Sequence, residues 1–344
     1  MHCVVRRIAL VSAFVVAGAS PALAQNPNVT VNGVVYSQFA YQLKKDSVTD
    51  SHLNNFDVTR AYINVLGKFP AGVGTRVTAD IYRISDGSLS YRLKYAYVTY
   101  TPDSSHITLK FGQVQTPWVD FEEALWDYRM QGTVALDRNK YLSSSDFGAA
   151  VDGSWGFERL NLSAGVYNGE NYNGGTGDQR KDVMARASFR LMETNLAGRV
   201  GGLRLTGYAQ TGKPTGGGER QRIVGMLSYK SKRLTLAGEY AATKDSNTSV
   251  SVAQVNGQVI SGFAVLNIPN TRFALIGRVD IVDPNKDVSG SDKLTRFIAG
   301  ASYMVSPNLR VLADIDNLSR EDNPSTNSFN ATRSQALFQL EYKF

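Results

Sequence analysis

The sequence predicts an all-β chain, a transmembrane antiparallel β-barrel of 16 strands with a long constriction loop after strand 5. Three observations lead there. Apolar and polar residues alternate over segments that mostly run to nine or more residues, about what a tilted strand needs to cross a bilayer. Beyond the N-terminus no run approaches the ~18 consecutive apolar residues of a membrane helix. The connections alternate between short and long, as the two rims of an outer-membrane barrel do. Of the 344 residues, 42% are hydrophobic and only 19% charged. Aromatic and β-branched residues recur along the whole chain, which excludes a disordered polymer.

The first 24 residues stand apart. Arg6 and Arg7 precede an apolar run from Ile8 to Ala19, and Pro21, Ala22, Leu23 and Ala24 end it with small residues. That pattern is a secretory signal peptide, residues 1–24, leaving a barrel domain at 25–344. Cleavage leaves 35 Lys plus Arg against 30 Asp plus Glu and removes the single cysteine, Cys3. An exported chain without cysteine has no disulfides and no thiolate chemistry. Two histidines remain, His52 and His106.

Taken in order, the alternating segments lie near 29–43, 56–67, 74–84, 90–100 and 106–113. After the long connection 114–144 they continue at 145–155, 159–168, 181–192, 202–211, 220–230, 232–243 and 257–267. The last four are 271–282, 293–304, 308–319 and 333–344. In the third segment Val77, Ala79 and Ile81 alternate with Arg76, Thr78 and Asp80; in the ninth, Leu203 and Leu205 alternate with Arg204 and Thr206. The last sets Phe338, Leu340, Tyr342 and Phe344 against Leu337, Gln339, Glu341 and Lys343. Pro70, Pro102, Pro269 and Pro307 fall in short connections and Pro117, Pro214, Pro284 and Pro324 in long ones, so none deletes a ladder bond. A soluble sandwich of this length would show linkers, and a propeller would show a repeat where Trp126-Asp127 occurs once.

Strand parity assigns the wall facing the lumen. Its bases are Arg60, Arg76, Arg92, Lys94, Lys110, Arg186, Arg190, Arg204, Arg222, Arg233, Arg272, Arg278, Arg296, Arg310, Arg333 and Lys343. Its acids are Asp80, Asp152, Asp182, Glu239, Asp280, Asp314, Asp316 and Glu341, half as many. Charge facing lipid costs roughly 2–4 kcal/mol per Lys or Arg at the midplane, which explains the inward location but not the sign. A cationic excess within low-dielectric walls favours anion entry. In the constriction loop, Asp120, Glu122, Glu123 and Asp127 accompany Arg129 and Arg138, and Phe121–Gln131 has helix-forming composition. Folded inward, these acids are expected to face wall arginines and set a transverse field.

The C-terminal segment ending in Phe344 resembles the last strand of Gram-negative outer-membrane proteins. That resemblance implies recognition by the outer-membrane assembly machinery. Further matches lie at Phe56–Gly67 (FDVTRAYINVLG), Leu93–Tyr100 (LKYAYVTY), Leu109–Pro117 (LKFGQVQTP) and Ala164–Gly169 (AGVYNG). Together they resemble the phosphate-selective porin O and P family. The resemblance implies a homotrimeric channel for small anions in outer-membrane lipid, working without a cofactor. Other classes find little material. His52 and His106 are expected at opposite rims and no G-x-S-x-G elbow is present, so no nucleophile–base pair is available to an enzyme. The basic residues alternate with apolar ones instead of clustering, which disfavours nucleic acid as a partner. The competing expectation is a plugged or structural barrel whose loops carry an adhesive function.

Overall fold

The computed structural model describes residues 28–44, 52, 54–175, 177–214, 217–247, 252–287, 292–321 and 332–344; the predicted signal peptide, 1–24, and Pro324 lie outside them. The chain forms one closed barrel in which every strand pairs antiparallel with its sequence neighbours and the first pairs with the last. The strands are β1 (Asn28–Gln42), β2 (Asn54–Lys68), β3 (Val73–Arg83), β4 (Leu89–Tyr100) and β5 (Ile107–Gln115). Two short helices follow, α1 (Pro117–Leu125) and α2 (Ala135–Arg138). Then come β6 (Ser145–Trp155), β7 (Leu160–Tyr167), β8 (Asp182–Met192), β9 (Gly202–Gly212), β10 (Arg220–Lys230) and β11 (Leu234–Asn247). The remaining strands are β12 (Val252–Asn267), β13 (Phe273–Asp283), β14 (Leu294–Ser306), β15 (Leu309–Arg320) and β16 (Thr332–Lys343).

Closure gives every strand a partner on both sides, the condition for crossing a bilayer with strands. At the seam, Gly33 N–H donates to Phe344 O at 2.9 Å and Phe344 N–H donates to Gly33 O at 3.1 Å. A side chain at Gly33 would meet the Phe344 ring and the Tyr62 carbonyl within 2.5 Å, so the close approach requires glycine.

The dyad of the sequence becomes an outside and an inside. In β8, Asp182, Met184, Arg186, Ser188 and Arg190 are buried while Val183, Ala185, Ala187, Phe189 and Leu191 are exposed. Apolar side chains such as Leu205, Ile223 and Leu227 stand more than half exposed on the outer face, where lipid replaces water. Two boundaries depart from the sequence reading. β11 and β12 run on to Asn247 and from Val252, through a stretch expected to be loop between 244 and 256. In β2 and β3 the ladder spans only Ile63↔Ala79 to Lys68↔Gly74; beyond it, Arg60 Nη1 bridges to Asp80 Oδ2 at 2.9 Å. His52 and His106 sit at opposite ends of the barrel, His52 donating from Nδ1 to the Gln42 carbonyl at 2.7 Å.

Candidate functional site: a loop-lined lumen

The connection from Thr116 to Ser144 folds into the barrel. Pro117 opens α1 at a position whose N–H would have no helical partner, and Asp120 places negative charge in the first turn. The Thr116 hydroxyl donates to Ser143 O, and Thr116 N–H donates to Ser144 O at 3.2 Å, so the two ends of the loop are tied together. Trp118, Phe121, Leu125, Trp126, Val134 and Leu136 are fully buried. They join one apolar cluster with inward residues of β10, β12, β13, β14 and β15, among them Met226, Phe263, Ile276, Ile298 and Leu312. Trp126 meets Phe263 at 5.2 Å between ring centroids, and Trp118 meets Tyr208 at 5.7 Å. Each such side chain stabilises docking by roughly 1.5–3 kcal/mol of apolar burial.

Docking also needs partners for loop carbonyls, and the inward bases supply them. Arg186 Nε donates to Pro117 O at 3.0 Å, Arg278 Nη1 to Thr133 O at 2.9 Å and Arg222 Nε to Tyr141 O at 3.2 Å. Arg310 Nη2 donates to Asp127 O, and Gln339 Nε2 donates to Met130 O at 2.8 Å. Lys230 Nζ reaches Ala124 O and Leu125 O at 2.7 and 3.1 Å, where α1 ends and its carbonyls lack helical donors. These bases lie behind the loop.

Other bases named from parity serve the rim or the wall. Arg204 is fully buried and donates to the carbonyls of Gly201, Glu158 and Gly198. Arg190 pairs with Glu193 at 2.6 Å and Arg296 with Asp316 at 2.6 Å. Arg272 precedes β13, is exposed, and donates to Val305 O at 3.0 Å. Arg233 is likewise exposed before β11, and the Arg333 side chain lies outside the described residues.

Across the lumen, β2–β5 present a different wall, in which cations and tyrosines interleave. Arg76 stands over the Tyr95 ring at 4.5 Å, Arg92 over Tyr172 at 4.7 Å, Lys94 over Tyr62 at 4.9 Å and Lys110 over Tyr97 at 5.9 Å. The Tyr62 hydroxyl is the focus. It accepts from Arg60 Nη1 at 2.5 Å, from Lys94 Nζ at 2.6 Å and, from the loop, Arg129 Nη2 at 3.4 Å. Arg60 and Arg92 share Asp80, at 2.9 and 3.9 Å, and Lys110 pairs with Asp152 at 2.5 Å. Among the described residues no carboxylate lies within ion-pair distance of Lys94 or Arg76. Side-chain exposure of 19% for Arg60 and 26% for Arg92 wets this wall around a fully buried Lys94, whereas Arg186 and Arg278 are buried behind the loop.

Among the described residues none of the loop acids Asp120, Glu122, Glu123 and Asp127 forms an ion pair with a strand arginine. Asp120 pairs with Arg199, in the turn after β8, and Glu123 pairs with Arg129 of the same loop. Burial opposes Asp120 ionisation, but Arg199, then Lys110 and Arg186, hold its carboxyl below the usual range. Glu122 Oε2 accepts from Trp118 Nε1 at 2.9 Å, the Asp127 carbonyl faces Arg310, and Arg138 reaches Asp316 at 3.9 Å. A loop cation, Arg129, is what crosses to the opposite wall. Sequence reasoning missed Arg199 and the tyrosines; three tyrosines following Lys94 in LKYAYVTY were a signal for Tyr95 and Tyr97 alone. At the long-loop mouth a cavity of about 600 Å³ gathers Arg138, Lys140, Arg220, Arg222 and Arg320 against Asp245 and Asp292. Among the described residues no group of three His, Cys, Asp or Glu side chains is placed to hold a metal.

A closed barrel of 16 strands with one loop folded into a charged lumen defines an outer-membrane porin, a channel protein of the Gram-negative outer membrane. The chain belongs to the phosphate-selective porin O and P family, whose model matches residues 29–269. Solved porins share the fold at low identity. An anion-selective porin from Comamonas acidovorans superposes with a TM-score of 0.70 at 12% identity, covering 93% of this chain and 100% of that one. OmpF of Salmonella typhi gives 0.68 at 15%, covering 92% and 97%. The trimer form of OmpT from Vibrio cholerae gives 0.62 at 10%, covering 92% and 99%. No curated protein sequence matches the chain.

Proposed function

We propose that this porin passes small hydrophilic solutes by diffusion with a preference for anions, phosphate-like oxoanions among them. Passage follows the cation–tyrosine wall of β2–β5, opposite the constriction loop. The observation that carries this reading is the convergence of Arg60, Lys94 and Arg129 on the Tyr62 hydroxyl, with Asp80 and Glu123 as the near carboxylates. Three cations around two acids leave excess positive charge where the loop meets the wall, and low-dielectric walls strengthen its pull on anions. The basic mouth cavity gathers anions above it. Arg186, Arg222, Arg278 and Arg310 position the loop in this reading, while Arg60, Arg76, Arg92 and Lys110 meet the solute and the buried Lys94 adds its charge from behind Tyr62.

The active form is a homotrimer in outer-membrane lipid, in line with the trimeric OmpT relative. The chain is exported by residues 1–24 and delivered to the assembly machinery through the strand ending in Phe344. Transport needs no cofactor and no catalysis. Reversal potentials in a KCl gradient across planar bilayers test the reading. The wild type is expected to favour chloride, and Lys94→Gln with Arg60→Gln to lower the anion-to-cation ratio severalfold; cation preference in the wild type overturns it. Saturation of chloride current by phosphate separates a binding site from a general pore. The packed loop cluster favours a second reading, a plugged barrel, which predicts no conductance at all.

A further inference from the structure

Behind α1, where the loop meets β11 and β13, lies a sealed cluster of carboxyl groups. Glu122 of α1 and Asp280 of β13 are fully buried, and Glu239 of β11 is 5% exposed. Asp280 is satisfied at one oxygen only, its Oδ1 accepting from Arg278 Nε at 2.8 Å and from Ser261 Oγ of β12 at 2.7 Å while Oδ2 has no partner among the described residues. Glu122 Oε2 accepts from the Trp118 indole. Glu122 Oε1 and both oxygens of Glu239 have no well-aligned hydrogen bond among the described residues, although the Glu122 carboxyl and the Trp118 indole lie beside Glu239. The charged groups that act on the cluster from every packed element are Arg278 of β13, and Arg138 at the end of α2 acting on Asp280. Three carboxyls thus face two guanidiniums, one of them shared with Asp316, so at least one acid is surplus in a site closed to solvent. Buried charge without a partner costs several kcal/mol, whereas a carboxylic acid O–H is a donor of the kind the orphan oxygens lack.

We propose that Glu122 and Glu239 share one proton and so act as positioning residues, a latch that fixes α1 to the barrel wall and sets the width of the constriction. The inference rests on the reading that this loop narrows a conducting pore. Burial, and after it the Glu239 carboxyl, holds the Glu122 acid form well above the usual carboxylate range. The sign follows. Docking is fully supported in acid and weakens as pH rises above the ordinary carboxylate range. Once the proton leaves, two carboxylates face each other and α1 lifts from β11.

Single-channel recording of the full chain from about pH 5 to about pH 10 tests the latch. Wild-type excursions from the main conductance level are expected to grow with alkalinity, by up to about tenfold per pH unit for one proton. Glu239→Gln, whose amide supplies a donor without titrating, should flatten that slope while keeping neutral-pH conductance within about twofold. Glu122→Gln tests the same proton from the loop side should the wall variant fail to fold. A slope retained in both variants, or no slope in the wild type, overturns the latch. A merely structural role would change conductance equally at every pH. Failure of the channel reading is separately visible as absent conductance or cation preference.

Discussion

Single residues in this barrel are constrained by where the backbone passes. Gly112 in β5 has φ +125°, and a Cβ there would meet Ala96 O at 2.3 Å and Tyr97 Cα at 3.0 Å. Gly112→Ala is expected to destabilise the barrel by about 1–3 kcal/mol, read as a lower urea midpoint for loss of the folded band on a gel. Parity was enough to read Arg60, Lys94 and Arg186 as inward, because charge cannot face lipid. It could not separate them. Lys94 and Arg186 are both buried, but Lys94 meets the Tyr62 hydroxyl in the β2–β5 wall and Arg186 meets the Pro117 carbonyl, a difference set by the path of a loop remote in sequence.

Among elements, the loop carries the most consequences. Lys230→Met leaves the Ala124 and Leu125 carbonyls buried without their donor, which should weaken docking by about 1–3 kcal/mol; faster proteolysis of the loop at fixed temperature checks it. The Arg199–Asp120 pair responds to pH in the opposite sense from the acid latch. Its carboxyl is held low, so its contribution is present above the ordinary carboxylate range and fades as pH falls through the depressed value. Asp120→Asn should abolish any acid-side rise in loop cleavage. The strands themselves were readable wherever one face meets lipid. The extensions of β11 and β12 were not, because Lys244, Asp245 and Asn256 keep their ladder pairing outside the alternating stretch and carry no apolar dyad. Hydrophobic alternation reports lipid contact and not hydrogen bonding.

On the scale of the whole molecule, the two halves of the lumen divide the work. β8–β16 seat the loop through an apolar cluster and carbonyl-bound cations, and β2–β5 hold tyrosines with the part-exposed cations Arg60 and Arg92. An electrostatic preference carried by the wetted half should decline with ionic strength, since screening shortens from about 30 Å at 0.01 M salt to about 3 Å at 1 M. Reversal potentials at fixed gradient ratio but increasing total KCl are expected to approach zero; a preference unchanged by salt would point to steric sieving.

The mutual amide bonds between Gly33 and Phe344 also order events in time. A ring whose first stave is sealed by its last cannot be finished progressively from one side. The leading edge must wait, shielded, until the trailing residue arrives. A chain cut short of Phe344 therefore loses the mutual bonds that hold its two ends together.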